Sequence, residues 1–161
     1  MFQCSTLTIF YSHTSRRMIY FRIMDKQLDA VCTVIHPDGL EVEVASGSMT
    51  RLAGVSKALA GTEGIHLAIA TIPPGCASSP HYHVNCESAI YVVSGKGRFL
   101  TGQHLENTLE IAKGDFIYVP PDSVHQPVND SQSEAMELIV ARNAPVEIVV
   151  EFDASTGKPV E

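Results

Sequence analysis

Apolar and β-favouring residues fall in short runs along this chain, many of them alternating with polar ones: Ala30 to Ile35, Leu40 to Ala45, Ile65 to Ile72, Ala89 to Ser94, Gly97 to Thr101, Thr108 to Ala112, Phe116 to Val119, Ala135 to Ala141 and Val146 to Phe152. A period of two marks a strand with one buried face, and runs this short suit strands better than helices. Turn formers stand between them, at Pro37-Asp38-Gly39, Pro73-Pro74-Gly75, Gly95 and Gly97, Lys113-Gly114-Asp115, Pro120-Pro121-Asp122 and Asn129-Asp130. Each supplies backbone geometry that a strand cannot continue through. Many short strands at close spacing predict an all-β fold, a sandwich or barrel. At most one or two short helices are expected, and the one stretch that reads as helical is Thr50 to Leu59.

Composition narrows the picture to one core. With 161 residues, 45% of them hydrophobic and 18% charged, the chain has the balance of an ordinary globular domain. Residues 24–161 are read as that single domain. The stretch 1–23 differs from it, having no Asp or Glu but carrying Arg16, Arg17 and Arg22 among many Ser and Thr. That is the composition of an organellar transit peptide. Met24-Asp25 also reads as an ordinary start, and the simpler expectation is that 1–23 is an upstream extension from a misassigned start, peripheral to the fold.

The net charge of −7 removes nucleic acid from the expected partners, because phosphate binding rests on clustered Lys and Arg. No apolar run approaches the ~20 residues that span a bilayer, so no membrane partner is expected either. Cys4, Cys32, Cys76 and Cys86 show no metal or disulfide spacing. This favours a reducing, cytoplasmic setting, with Cys76 and Cys86, which flank the histidine pair, read as small buried hydrophobes rather than as reactive thiols.

Candidate chemistry concentrates between Gly75 and Asn129. His81, His83 and Glu87 follow Gly75, and His125 lies beyond Pro120 and Asp122. Three imidazoles and a carboxylate suit a divalent transition metal, without selecting among Fe, Mn, Zn, Ni and Cu. In extended backbone the odd positions 81, 83 and 87 share one face, whereas a helix would separate His81 and His83 by roughly 200° at about 100° per residue. A common ion therefore requires strands here. Were Glu87 left free, it would be a candidate general base.

These two segments resemble the two motifs of the cupin superfamily. Its first motif runs glycine, five residues, His-x-His, three or four residues, Glu, about six residues and glycine; Gly75, His81, His83, Glu87 and Gly95 follow it over 75–95. The interval from Glu87 to Gly95 is one residue longer than usual. The second motif is matched over 114–129 by Gly114, Pro120, His125 and Asn129, with Asp122 in place of a glycine. Asp tolerates the left-handed conformation that glycine supplies there. The phrases Tyr91 to Gly95, Gln126 to Asn129 and Ala141 to Pro145 are similar to a subgroup of small single-domain cupins, most of them uncharacterised.

The resemblance implies a double-stranded β-helix, or jelly-roll barrel, with a divalent metal at His81, His83, Glu87 and His125. It implies a small-molecule ligand or substrate in the barrel mouth, and a metal-dependent enzyme of dioxygenase type or one doing other metal-assisted chemistry such as isomerisation. A non-catalytic binding or sensing cupin is the alternative, since fold does not fix function. A homodimer is expected, because cupins of this kind commonly pair. His66 and Tyr91 are further candidate catalytic residues facing the cavity, and Tyr82 and Gln126 candidate pocket-lining ones. His13, His36 and His104 are read as surface residues.

Overall fold

A computed structural model describes residues 31–43 and 46–160. The 1–23 extension, with His13 and Cys4, lies outside the described residues. Among the described residues, twelve strands make up two antiparallel sheets. These are β1 (Glu41–Glu43), β2 (Thr50–Val55), β3 (His66–Ile72), β4 (His81–His83), β5 (Ser88–Ser94), β6 (Lys96–Thr101), β7 (Asn107–Ala112), β8 (Phe116–Val119), β9 (His125–Asn129), β10 (Met136–Arg142), β11 (Val149–Asp153) and β12 (Lys158–Pro159). One sheet runs β1-β2-β3-β10-β5-β8 and the other β12-β11-β4-β9-β6-β7. From β3 to β11 the chain passes from one sheet to the other at every step except β6 to β7, which pair as a hairpin, as in a jelly roll.

Alternation decides the inward faces. In β3 the buried residues are His66, Ala68, Ala70 and Ile72, and in β10 Met136, Leu138, Val140 and Arg142. Of these, Ala70, Ile72, Met136, Leu138 and Val140 close one apolar core with Ile90 and Val92 of β5, Phe99 of β6, Ile111 of β7 and Val119 of β8. Burial of such side chains, worth roughly 1.5–3 kcal/mol each, is the main force holding the sheets together. Asn129 is a fully buried polar residue beside this core. Its buried Nδ2 donates to the carbonyls of Ile72, Pro73 and Glu134 at 3.0, 3.1 and 2.8 Å, and its Oδ1 accepts from Ser131 N. One side chain thus ties three strand ends.

Two sequence expectations are corrected. Residues 31–35 form no strand, and Val31 and Val34 are exposed. Thr50 to Leu59 is not one helix: Thr50–Val55 is β2, and only Lys57–Ala60 forms a single helical turn, α1. Arg51 and Ala53 are buried in alternation with exposed neighbours, and pairing with β1 and β3 overrides the local helical preference. Ser56 then caps the turn by accepting from Leu59 N at 3.2 Å, and Gly61 ends it at φ 65°. Among the described residues, no helix is long and apolar enough to cross a membrane.

Candidate metal centre

The two motif histidines of β4 are separated by one residue, so both turn inward, and β9 pairs with β4 at His81 opposite His125. This register brings three imidazoles together. Ring centroids lie 4.4 Å apart for His81 and His125, 5.1 Å for His81 and His83, and 5.3 Å for His83 and His125. One nitrogen from each falls within 4.8 Å of the others. All three are buried, and Phe99 stacks flat on His125 at 5.3 Å to wall the cluster from the apolar core.

Hydrogen bonding prepares these rings as ligands. His81 Nδ1 donates to Ser79 O and His125 Nδ1 to Ser123 O, both at 2.8 Å, which leaves each Nε2 with its lone pair free. His83 Nδ1 sits 3.0 Å from Glu147 Oε2. Burial, with the neighbouring His83, lowers the pKa of His81, and burial beside His81 lowers that of His125 to about 3. Neutral imidazole is the metal-binding form, so these two rings need lose no proton to bind at neutral pH. The residues fit a divalent ion held by three nitrogens.

Glu87, the expected fourth ligand, is not part of the cluster. It is exposed, with its backbone bonded to Asn143, beside Tyr118 and Ala141 on the outer surface. The expectation assumed one uninterrupted strand from His81 to Glu87. Instead β4 ends at His83, the chain crosses to the other sheet, and in β5 the inward positions become even: Ser88, Ile90 and Val92. Ser88 holds the inward place, with its Oγ buried and unpartnered. The longer Glu87 to Gly95 interval was the signal, since four residues separate Ser88 from His83 and six separate it from Gly95.

The other candidates divide. His66 does face the interior, bonded through Nε2 to Glu43 Oε1 at 2.7 Å. Tyr91 faces outward and packs on Phe116 at 4.8 Å, so it is removed from the cavity. Tyr82 also points away, edge-on to Phe152, and Gln126, on the opposite face from His125, donates to Ser78 O at 2.7 Å. His36 and His104 are exposed, as expected; Cys86 is buried, and Cys76 packs partly buried against the core. Asp122 adopts φ 58° in the motif's glycine position, and its N–H donates to His83 O at 2.9 Å. The second motif's turn thereby clamps the first motif's strand.

Sequence reading missed a buried polar group beside the cluster. Arg142 on β10 lies in register between His66 on β3 and Ser88 on β5, so all three project into the same end of the barrel. Arg51 and Glu147 join them. Arg51, His66, Arg142 and Glu147 also line a cavity of about 410 Å3, which therefore reaches the carboxylate next to His83. A charged residue alternating with apolar ones on a strand reads as outward-facing; only the partners brought by the fold show otherwise.

Two antiparallel sheets with inward histidines on neighbouring strands agree with the jelly-roll barrel that the sequence resemblance implied. Residues 68–142 match the family model of the cupin domain. Among curated proteins no sequence match was found. Solved structures share the fold. The polyketide cyclase RemF from Streptomyces resistomycificus is 19% identical, with 76% of this chain and 88% of that one covered and a TM-score of 0.61. A sugar phosphate isomerase of the cupin superfamily from Silicibacter pomeroyi is 22% identical over 75% and 82%, with a TM-score of 0.57. A predicted oxalate decarboxylase from Thermotoga maritima is 19% identical over 70% and 99%, with a TM-score of 0.58.

Proposed function

We propose that this cupin holds one divalent transition metal at His81, His83 and His125 and acts on a small organic molecule admitted to the barrel. The observation that carries it is the buried imidazole triad, two of whose Nδ1 atoms are committed to backbone carbonyls while Nε2 stays free. Three protein ligands leave coordination positions open, as catalytic centres require, whereas a closed four-ligand shell would be structural. When bound, the ion supplies Lewis acidity and, if redox-active, a site for dioxygen. The chain's own contribution is to fix three rings, exclude water with Phe99, and present Arg142, His66 and Ser88 across the chamber. That the structural relatives include an isomerase, a cyclase and a predicted decarboxylase supports an enzyme and leaves the reaction type to experiment.

Metal analysis of protein purified without chelating resin tests this reading. About one divalent ion per chain is expected, lost in His83→Ala and His125→Ala; unchanged content in both variants would reject the ligands. Substrate classes are then screened without oxygen, followed by oxygen addition. Oxygen uptake that depends on both metal and ligand marks a dioxygenase, turnover without oxygen marks isomerisation or related chemistry, and saturable binding with no turnover favours the sensing alternative. A homodimer joined through the outer aromatic face of β8 belongs to the same proposal.

A further inference from the structure

Glu147 lies outside both motifs, yet it meets more buried charge than any ligand histidine does. Its side chain is 12% exposed and contacts Arg51, while Oε2 sits 3.0 Å from both Arg142 Nε and His83 Nδ1. Arg51 Nε continues to Glu43 Oε2 at 2.9 Å, and Glu43 to His66. Two arginines and two glutamates cancel in charge, but assembling them in a protein interior is costly and adds little net stability. Their position explains them better than stability does. His81 and His125 satisfy Nδ1 with the carbonyl two residues earlier, at Ser79 and Ser123. For His83 the equivalent residue is His81, which lies within the ladder, paired with Glu151 and His125. His83 has to take its acceptor from elsewhere in the chain, and Glu147 Oε2 lies 3.0 Å away, within ion-pair reach of Nδ1 though not aligned as a hydrogen bond.

We propose that Glu147 is a positioning residue: clamped by Arg51 and Arg142, it keeps the proton of His83 on Nδ1 and turns Nε2 toward the other two imidazoles. The link to metal affinity rests on the metal reading above; the assignment of the proton does not. Loss of such an outer partner typically weakens metal binding about 10–100-fold.

The test uses the full chain freed of metal by chelator. Long-range proton–nitrogen NMR of the imidazoles should show His81, His83 and His125 all protonated at Nδ1. In Glu147→Met, which removes the acceptor at similar size, His83 alone should change tautomer, and Glu147→Gln, which keeps an oxygen in place, should restore it. Cobalt(II) titration should give a dissociation constant raised about 10–100-fold in Glu147→Met and less in Glu147→Gln. Wild-type His83 protonated at Nε2, or a Glu147→Met affinity within about twofold of wild type, overturns the proposal. Should the Met variant fail to fold, the wild-type spectrum and the Gln variant decide. Should wild type take up no cobalt, the metal reading fails by itself, and the His83 tautomer still decides the role of Glu147.

Discussion

At position 88 the barrel has a hydroxyl where the motif expects a carboxylate, and at position 147 it has a carboxylate that no motif marks. The three histidines were legible because a spacing of two in extended backbone and a second motif with its own landmarks leave little freedom. Glu87 misled because parity holds only within one strand, and the crossover between sheets consumes it. Glu147 and Arg51 were illegible because the contacts that join them to the site, Arg51 to Glu147 and Glu147 to His83, span 96 and 64 residues of sequence, which no local pattern encodes. Burial of His125 also has a pH consequence. Its folded pKa of about 3 lies below the ordinary 6.5, so between those values the unfolded chain binds more protons. Stability of the metal-free protein is then full above about 6.5 and is lost progressively as pH falls toward 3. The melting temperature should drop between pH 7 and pH 4.5, and less steeply in His125→Gln; equal slopes would contradict this.

Strands were readable as far as alternation reached. β3, β5, β6 and β10 fall within a residue or so of their hydrophobic runs because each buries one face, and β7 and β8 do so although each buries a single residue, Ile111 and Val119. β2 did not read as a strand, since its helix-compatible residues are held extended by hydrogen bonds to β1 and β3 that sequence alone does not display. β9 was expected only through His125. Its ladder with β6 depends on close approach at Gly97, where a Cβ would fall 2.0 Å from Val128 O. No flexible side chain can move aside, because the obstruction is backbone. Gly97→Ala should therefore cost roughly 1–3 kcal/mol, the range for an overpacked interior. Because β9 carries His125, the variant should also weaken cobalt binding. Chemical denaturation and metal titration of the same sample check both.

For the whole molecule, the two sheets give the interior two unlike ends. Ile72, Val92, Met136 and Leu138 fill one, and the histidines with Arg51, Arg142 and Glu147 occupy the other. The fold class was legible because turn residues and short runs already demand many strands; this division was not, because it needs the register between strands. Outside, β8 is an edge strand with Phe116 82% and Tyr118 64% exposed. Such a face is a ready surface for a second copy. Light scattering should give a dimer mass for the wild-type chain and a monomer mass for Phe116→Asp, with metal content unchanged; a wild-type monomer would reject the pairing.

The knot at Asn129 bears on how this protein ages. An asparagine deamidates when its side-chain carbonyl carbon is attacked by the backbone nitrogen of the next residue, here Asp130, and that requires the amide to swing free. In the folded chain the amide is held by three carbonyls and by Ser131 N. Conversion to aspartate would then set a negative charge against the same three carbonyl oxygens, with no donor to replace the lost amide. The corner is thus a slow chemical clock, running only in molecules where β3, β9 and β10 have come apart, and each tick leaves a chain less able to close again.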